Sequence, residues 1–419
     1  MKKTNLRLFN TVILLFIAVC DVLACTSVIV SGRVTPDGRP YIFKNRDTND
    51  LDNLARYVKG KRYNYLAIVA ANDKEAKNAW SGHNEVGFAI ANTAAYNLNG
   101  DPSKQKTKEK SIPENDGEIM SLALGTCRTL KDFEHILDSL KAMGPIHANS
   151  NFAVLDAEGG VAYYETGQNG YTKFDANDPL IAPYGYLVRT NHAMSGDRAL
   201  DKGVERYLAI SDYMTRKAFQ GNFDFKSIIR DVPRYLKHGL TGIDLNELQP
   251  QTAENQKLFP FRDFIPRYLT ASSQLIQGVR KGENPLHTIA WTIIGSPLTT
   301  VTIPLVYNAK GILPKIVTAN NGQTAPLVKA GFALKKRLFP LQRGSYQDYI
   351  DIAQLINKNG TGILQRIRPI EDQIFEHASG FIDSIYSDKS TEKTFSDFYQ
   401  WIDNYVSRQY RQQFSINLQ

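Results

Sequence analysis

Residues 22–47 read VLACTSVIVSGRVTPDGRPYIFKNRD, and this stretch decides the fold that the rest of the chain must complete. Two apolar runs, at residues 27–30 and 41–43, flank a Pro-Asp-Gly turn at residues 36–38. This is the pattern of a β-hairpin with a longer loop. Because a hairpin returns the chain to its start, we expect the polar end of the stretch to lie beside Cys25.

The residues that precede Cys25 have the pattern of a secretory signal. A basic start, MKKTNLR, is followed by an uncharged and mostly apolar run at residues 8–19, which is too short for a comfortable membrane span. Val22 and Ala24 stand at positions −3 and −1 before the expected cut, the two positions that signal peptidase recognises. We therefore expect residues 1–24 to be removed and the mature protein to be periplasmic or secreted.

Cleavage after Ala24 would give Cys25 a thiol nucleophile and a free α-amine on the same residue. The amine has a reference pKa of about 7.7–8.0, so near neutral pH it can act as the general base for its own thiol. The alternative is a lipoprotein signal, in which a lipid on Cys25 would block the amine. Leu23 and the strand that directly follows Cys25 disfavour this alternative. The sequence thus favours an N-terminal-nucleophile amide hydrolase.

The composition disfavours several other classes of function. The 419 residues have a net charge of +8, but the basic residues are spread, and a cluster such as residues 335–337 is expected to be a solvated face. There is no zinc-type spacing of Cys and His and no phosphate-loop glycine pattern, so we expect no metal and no cofactor. Only Cys25 and Cys127 would remain in the mature chain, which excludes a disulfide framework. Cys127 lies in a helical apolar pattern at residues 119–130, typical of a buried thiol.

A second polar position is expected where a strand ends. Residues 65–70 predict a buried strand, and residues 88–91 predict another one after a tight turn bracketed by Gly82 and Gly87. Asn92 follows this strand, where the side chains of an active site usually project. The alternative is an asparagine that satisfies its own turn, and the local sequence does not decide between the two.

In their order along the chain, these motifs resemble the N-terminal-cysteine amide hydrolases, which include choloylglycine hydrolases, penicillin acyltransferase-like cysteine peptidases and, more distantly, secernin-type dipeptidases. The resemblance covers roughly residues 25–310 and implies an α+β fold, the αββα sandwich of Ntn-hydrolases with two stacked antiparallel sheets between helical layers. The similar segments are CTS at 25–27, KNRD at 44–47, GHNEVGFAIAN at 82–92, NSNFAVLDAEGGVAYYETG at 149–167, RTNH at 189–192 and GVRKGENPLHTIAWTIIGSPLTTVTIP at 278–304.

The resemblance also implies roles for single residues. It assigns Cys25 as the nucleophile and Asp47 as the acid that hydrogen-bonds and orients the α-amine. Asn191 matches an amide that holds the amine or the developing oxyanion, and Asn92 matches a further amide at a strand end. His192 suggests a Cys–His pair, but an N-terminal cysteine needs no histidine base, so we expect a supporting role for it.

The resemblance does not fix which basic residues belong to the site. The late active-site arginine of the family is matched by Arg206, with Arg267 as the second choice. Lys44 stands where the family often has an arginine, which keeps the charge but loses the planar fork. Arg46 could compensate for this loss, but strand alternation predicts that it faces the side opposite to Asp47.

Helical patterns dominate the rest of the chain. They occur at residues 200–219 and 225–238, the second kinked at Pro233. Towards the C-terminus, apolar residues recur at three- or four-residue steps, interrupted by Pro369. The predicted units are a signal peptide at 1–24, an Ntn-hydrolase catalytic domain at 25–328 and a C-terminal helical extension packed on it at 329–419.

Together these features predict an exported hydrolase that cleaves linear, non-peptide C–N amide bonds of N-acyl compounds through an acyl-thioester, or an acyltransferase that shares this intermediate. Two alternatives stay open: a lipoprotein binding module anchored through Cys25, and a dipeptidase-like peptidase of the same fold. The expected partner is a small N-acyl amide, with no nucleic acid and no stable membrane span; a homo-oligomer stays open. The sequence does not select among bile-salt conjugates, N-acyl amino acids, penicillin-type amides and peptides.

Overall fold

Two antiparallel sheets form the centre of the computed structural model, which describes residues 25–98, 115–319 and 322–418. The predicted signal at residues 1–24 lies outside the described residues. One sheet has six strands, numbered in chain order over the whole molecule: β1 (Thr26–Val30), β2 (Tyr41–Asp47), β10 (Tyr186–Arg189), β12 (Thr270–Gln277), β13 (Ile289–Ile294) and β14 (Thr302–Val306). Their order across the sheet is β10-β1-β2-β12-β13-β14.

The second sheet is a meander of seven strands in which chain neighbours are also sheet neighbours. Most of its strands are buried on both faces, which explains why apolar runs such as residues 65–70 are continuous rather than alternating. Its strands are β3 (Asn53–Val58), β4 (Tyr65–Ala70), β5 (Ser81–Asn84), β6 (Ala89–Ala94), β7 (Ser150–Leu155), β8 (Val161–Gly167) and β9 (Gly170–Asp175). A separate short pair joins β11 (Leu258–Pro260) to β15 (Tyr349–Asp351).

The predicted hairpin is confirmed and lies in the middle of the six-stranded sheet. β1 and β2 pair antiparallel with Thr26 opposite Asn45, and β12 pairs with the other edge of β2, with Ser273 opposite Asn45. The loop between β1 and β2 contains Gly38 at φ 72°, a left-handed conformation that glycine adopts without strain. Because β2 is hydrogen-bonded on both edges, the position of its polar end is fixed.

Helices cover both sheets, so that the predicted αββα architecture is confirmed. The helices α1 and α2 pack on the seven-stranded sheet, whereas α3, α4 and α7 pack on the six-stranded sheet. The helices are α1 (Asp116–Thr126), α2 (Leu130–Met143), α3 (Val204–Phe219), α4 (Phe225–Asp231), α5 (Pro326–Leu338), α6 (Ile352–Leu355), α7 (Ile363–Tyr386) and α8 (Glu392–Phe414).

Three local predictions need correction. The apolar pattern at residues 119–130 is two helices, because Cys127 caps the end of α1 and a capping box at Thr129 starts α2. The helix expected to reach residue 238 ends at Asp231 and continues only as a short 3₁₀ turn that contains Pro233. By contrast, Pro369 lies inside α7 without interrupting it.

The C-terminal helices are fixed to the six-stranded sheet by buried polar contacts. Arg234 and Glu371, both fully buried, form a bidentate ion pair with two distances of 2.8 Å, and Glu371 also accepts a hydrogen bond from the Thr302 amide at 2.6 Å. The Tyr410 hydroxyl donates to the Thr299 carbonyl at 2.9 Å. The described part of the chain contains no helix that is long and apolar enough to cross a membrane.

Candidate active site

Cys25 lies directly before β1, at the wall of a cavity of about 330 Å³. Only 8% of the residue is exposed, and its Sγ lies 3.8 Å from the backbone oxygen of Asp47 at the end of β2. The hairpin therefore brings the end of the polar segment back to the cysteine, as predicted from the sequence. Cys25 and Cys127 are both free thiols, and burial raises the pKa of Cys127 to about 12.

Arg206, in the first turn of α3, holds the backbone of the candidate nucleophile. Its Nη1 donates to the Cys25 carbonyl at 2.5 Å and to the Thr26 hydroxyl at 3.1 Å, and its Nη2 donates to Asn191 Oδ1 at 2.9 Å. Burial lowers the pKa of Arg206 to about 10, which leaves it charged at neutral pH. Gly203 has φ 71°, and a Cβ there would come within 2.1 Å of the guanidinium, so a glycine is required beside it.

Asn191 lies on the loop after β10, and one of its N–H bonds donates to the Ala94 carbonyl at 3.0 Å. No hydrogen-bond acceptor among the described residues meets its second N–H. Glu165 holds both ends of this loop. Its Oε1 accepts hydrogen bonds from Arg189 Nε at 2.5 Å and from the Met194 backbone amide at 2.8 Å. Asn191 thus has a fixed position, and it is linked to the Cys25 backbone through Arg206.

Asn92 is part of a buried chain of polar contacts rather than a turn that satisfies itself. Its Oδ1 accepts from Lys44 Nζ at 2.5 Å, and its Nδ2 donates to Asp116 Oδ2 at 2.6 Å and to the Ser150 hydroxyl at 3.1 Å. Lys44 also donates to the Trp80 carbonyl at 2.6 Å. Both N–H bonds of Asn92 are therefore occupied, so its position favours a role in holding Lys44.

The charges in this chain of contacts are shifted by burial. Burial lowers the pKa of Lys44 to about 8, while a negative charge on the nearby Cys25 sulfur acts in the opposite direction. Burial also raises the pKa of Asp116, against the opposing effect of Lys44. Lys44 has no acceptor for its third N–H among the described residues. The ammonium group can therefore stabilise a thiolate at Cys25.

The Asp47 carboxylate is held by two residues at or just before the start of β12. Oδ2 accepts from Arg267 Nε at 2.9 Å, and Oδ1 accepts from the Thr270 hydroxyl at 2.6 Å. Both arginine candidates therefore reach the site, but with different partners: Arg206 binds the Cys25 backbone and Arg267 binds Asp47. The orientation of the α-amine by Asp47 stays a prediction.

Arg46 lies on the cavity side of β2 together with Lys44. Strand alternation predicted that it faces the side opposite to Asp47, but both residues line the cavity. Its Cζ lies 4.4 Å from the ring centroid of Trp80, and its Nη1 donates to Asn53 Oδ1 at 2.7 Å. Arg46 is therefore a cation of the candidate site.

Sequence reasoning missed Asp116 and the Trp80 carbonyl. Asp116 follows Asn115, the N-cap of α1, so a capping signal could have located the helix start but not the contact with Asn92. His192 is buried with Nδ1 3.0 Å from the Lys202 carbonyl, which agrees with the supporting role expected for it.

The architecture is the α+β class predicted from the sequence, with two stacked antiparallel sheets between helical layers. The segment 34–235 matches the family model described as acyl-coenzyme A:6-aminopenicillanic acid acyl-transferase. This segment, just under half of the chain, is therefore similar to that family. The matched segment contains Asp47, Asn92, Asn191 and Arg206, and it begins after Cys25. A comparison with curated proteins found no match.

The comparison with solved structures found distant likenesses, among them three hydrolases. Penicillin V acylase from Agrobacterium tumefaciens is 13% identical, over 67% of this chain and 86% of that chain, with a TM-score of 0.37. The Caenorhabditis elegans ortholog of N-acylethanolamine-hydrolyzing acid amidase is 17% identical, over 62% and 93%, with a TM-score of 0.35. A mutant of the conjugated bile acid hydrolase from Clostridium perfringens is 11% identical, over 71% and 100%, with a TM-score of 0.39.

Proposed function

We propose that this protein is an exported N-terminal-cysteine hydrolase that cleaves linear amide bonds of N-acyl compounds through an acyl-thioester on Cys25. The observation that carries the proposal is the position of the Cys25 thiol. It lines a cavity, its own carbonyl is held by Arg206, and the buried ammonium of Lys44 lies nearby. Removal of residues 1–24 would add the α-amine, and the product would act in the periplasm or outside the cell.

The proposed reaction begins with transfer of the thiol proton of Cys25 to its own α-amine. The thiolate, stabilised by Lys44, attacks the amide carbon, and the carbonyl electron pair moves to the oxygen. The free N–H of Asn191 is the candidate donor to this oxyanion; losing one such donor typically raises a barrier by about 2.7–4 kcal/mol. The tetrahedral intermediate collapses, the C–N bond breaks, and the ammonium at Cys25 returns its proton to the leaving nitrogen.

Water then attacks the thioester, and the neutral α-amine accepts a proton from this water. The C–S bond breaks, the acid is released, and the proton returns to the sulfur. An amine that reached the thioester in place of water would give acyl transfer by the same steps.

The test determines the N-terminal residue of the mature protein and measures its hydrolytic activity. Protein from the native cell envelope is analysed by intact mass and terminal sequencing, and wild type and Cys25→Ser are assayed on chromogenic N-acyl amides and on free dipeptides. We expect an unmodified N-terminal Cys25, turnover of the amides in preference to the dipeptides, and loss of nearly all turnover in Cys25→Ser. A matched control is Cys127→Ser, because Cys127 lies outside the cavity and should not change the chemistry.

A lipid on Cys25 would contradict the proposal and favour the anchored binding module. Preferred cleavage of free dipeptides would favour the dipeptidase-like alternative. Wild-type turnover in Cys25→Ala, which has no nucleophile at this position, would exclude the cysteine mechanism altogether.

A further inference from the structure

The cavity beside Cys25 contains a buried guanidinium that has no ion-pair partner among the described residues. Only 6% of Arg46 is exposed, and it makes one hydrogen bond, to Asn53 Oδ1, while its plane lies against Trp80. Burial lowers the pKa of Arg46 to about 10, so it remains charged at neutral pH. A buried charge without a counter-ion is costly, and proteins usually pair such a group.

The carboxylates that line the same cavity do not supply this counter-ion. Asp47 is bound by an arginine and a threonine, and Asp116 accepts from Asn92 and from the backbone. Asp73 accepts from two backbone amides, and Asp50, Asp116 and Asp47 act on Arg46 through space, without a hydrogen bond or an ion pair to it. The other buried cation of the cavity is already held by two acceptors.

The stacking on Trp80 and the single bond to Asn53 fix the guanidinium plane and leave its remaining N–H groups for a ligand. A planar guanidinium binds a carboxylate through two parallel hydrogen bonds, so this arrangement suits a carboxylate better than a neutral group. Most of the residues that line the cavity are polar or charged, Asn72 and Asn78 among them, so the site can receive a charged group.

We propose that Arg46 is the anion-recognition residue of this site, and that the substrate is an N-acyl amide that carries a carboxylate within a few bonds of the scissile amide. The inference rests on the proposed function, because the carbonyl of the same molecule must reach Cys25. The carboxylate can belong to the amine part, as in an N-acyl amino acid, or to the acyl part, as in the monoamide of a dicarboxylic acid.

Two matched pairs of probes separate these sources. N-phenylacetylglycine is compared with N-phenylacetylglycinamide, and glutaric acid monoanilide is compared with its carboxamide. Binding is measured by calorimetry on the Cys25→Ala protein, and kcat/KM is measured on the mature enzyme. Within at least one pair we expect the acid to be preferred over its carboxamide by about tenfold or more in both measurements, equivalent to one strong charge-assisted interaction.

Arg46→Met should reduce this acid-to-carboxamide ratio to near unity. Arg46→Lys keeps the charge without the fork and should give an intermediate ratio, which provides a second readout if the methionine variant folds poorly. Arg408→Met, which removes an exposed arginine on the last helix, is the control for net charge and should retain the wild-type ratio.

Because binding is measured without turnover, the two proposals can fail separately. Arg46-dependent binding of an acid without any turnover would overturn the hydrolase proposal and leave the recognition site standing. Turnover with no preference for either acid, or a preference that survives in Arg46→Met, would overturn the role of Arg46 and leave the hydrolase standing. Binding of neither acid would also overturn the role of Arg46.

Discussion

The charge on a single side chain, Lys44, is expected to set the alkaline limit of activity. Burial lowers its pKa to about 8, so the ammonium loses its proton, and with it the stabilisation of a Cys25 thiolate, as the pH rises through about 8. The α-amine imposes the opposite limit, because it must be neutral to accept the thiol proton. The pH dependence of kcat/KM is therefore expected to be bell-shaped.

Lys44→Arg should move the alkaline limb upwards by at least about one pH unit, because a guanidinium keeps its proton well above the pH at which a buried lysine loses it. The measurement is kcat/KM between pH 6 and 10 for wild type, Lys44→Arg and the exposed control Lys336→Arg. The acid limb should stay in place in all three proteins. An alkaline limb that does not move in Lys44→Arg would exclude Lys44 as its origin.

Within the helix α5, one lysine is buried where the sequence predicted a solvated cluster. Lys335 is 4% exposed, donates to the Tyr268 carbonyl and lies 4.1 Å from the centroid of the Tyr268 ring, whereas its neighbour Lys336 is exposed. Burial lowers the pKa of Lys335 to about 7, and the charge of Asp47 acts against this shift. The prediction for the cluster was therefore wrong at Lys335.

This burial gives a prediction for stability. Between pH 7 and about 10 the unfolded chain binds more protons at Lys335 than the native protein does, so the free energy of unfolding rises with pH. Lys335→Met removes this contribution. Between pH 6 and 9, its free energy of unfolding should rise less than that of wild type, by on the order of 2 kcal/mol. The free energy of unfolding is measured by urea unfolding at pH 6 and at pH 9, with the exposed Lys336→Met as the control. An equal rise with pH in Lys335→Met and in wild type would contradict the burial of Lys335.

Elements whose signals are local in sequence could be predicted, as the hairpin demonstrates. Its turn residues and apolar runs lie within one stretch of chain, and the continuous run at residues 65–70 gave the bounds of β4 in the same way. The hydrogen-bond partners of the site residues could not be predicted from the sequence in the same way. Arg267 meets Asp47 across 220 positions of sequence, and nothing near either residue specifies the other.

The contacts of residues whose local sequence indicates only a structural role could not be predicted either. Asp116 looks like a helix-start acid, and only the packing of α1 on β6 brings it to Asn92. Arg46 was expected to face away from Asp47, but both line the cavity, and the existence of this cavity depends on how the second sheet stacks on the first. Resemblance to a family supplied the residue types of the site, and packing supplied their contacts.

For the molecule as a whole, the buried pair Arg234–Glu371 joins the C-terminal helices to the six-stranded sheet. Glu371 belongs to α7, and Arg234 belongs to the turn after α4 and also donates to the Pro297 carbonyl at 2.7 Å. Helix α5 crosses the predicted boundary between residue 328 and the extension that was expected to begin at residue 329. These contacts make the extension a structural part of the catalytic fold.

Removing one partner of this pair should therefore destabilise the entire protein. Glu371→Gln and Arg234→Met should each lower the free energy of unfolding by about 3–5 kcal/mol, because each leaves a buried group without its partner. The double variant should lose clearly less than the sum of the two, since neither charge then remains. Urea unfolding followed by tryptophan fluorescence and by circular dichroism should give coincident transitions in wild type, as Trp291 in the sheet and Trp401 in α8 report on both parts.

The matched control is Asp397→Asn, which breaks the exposed pair Lys393–Asp397 on α8, where the two side chains are 82% and 59% exposed. Solvent screens such a pair, so this variant should unfold close to wild type. Losses that add up within about 0.5 kcal/mol in the double variant would mean that the two charges are not coupled. Separate transitions for the two probes would mean that the extension unfolds independently of the sheets and that Arg234–Glu371 does not unite them.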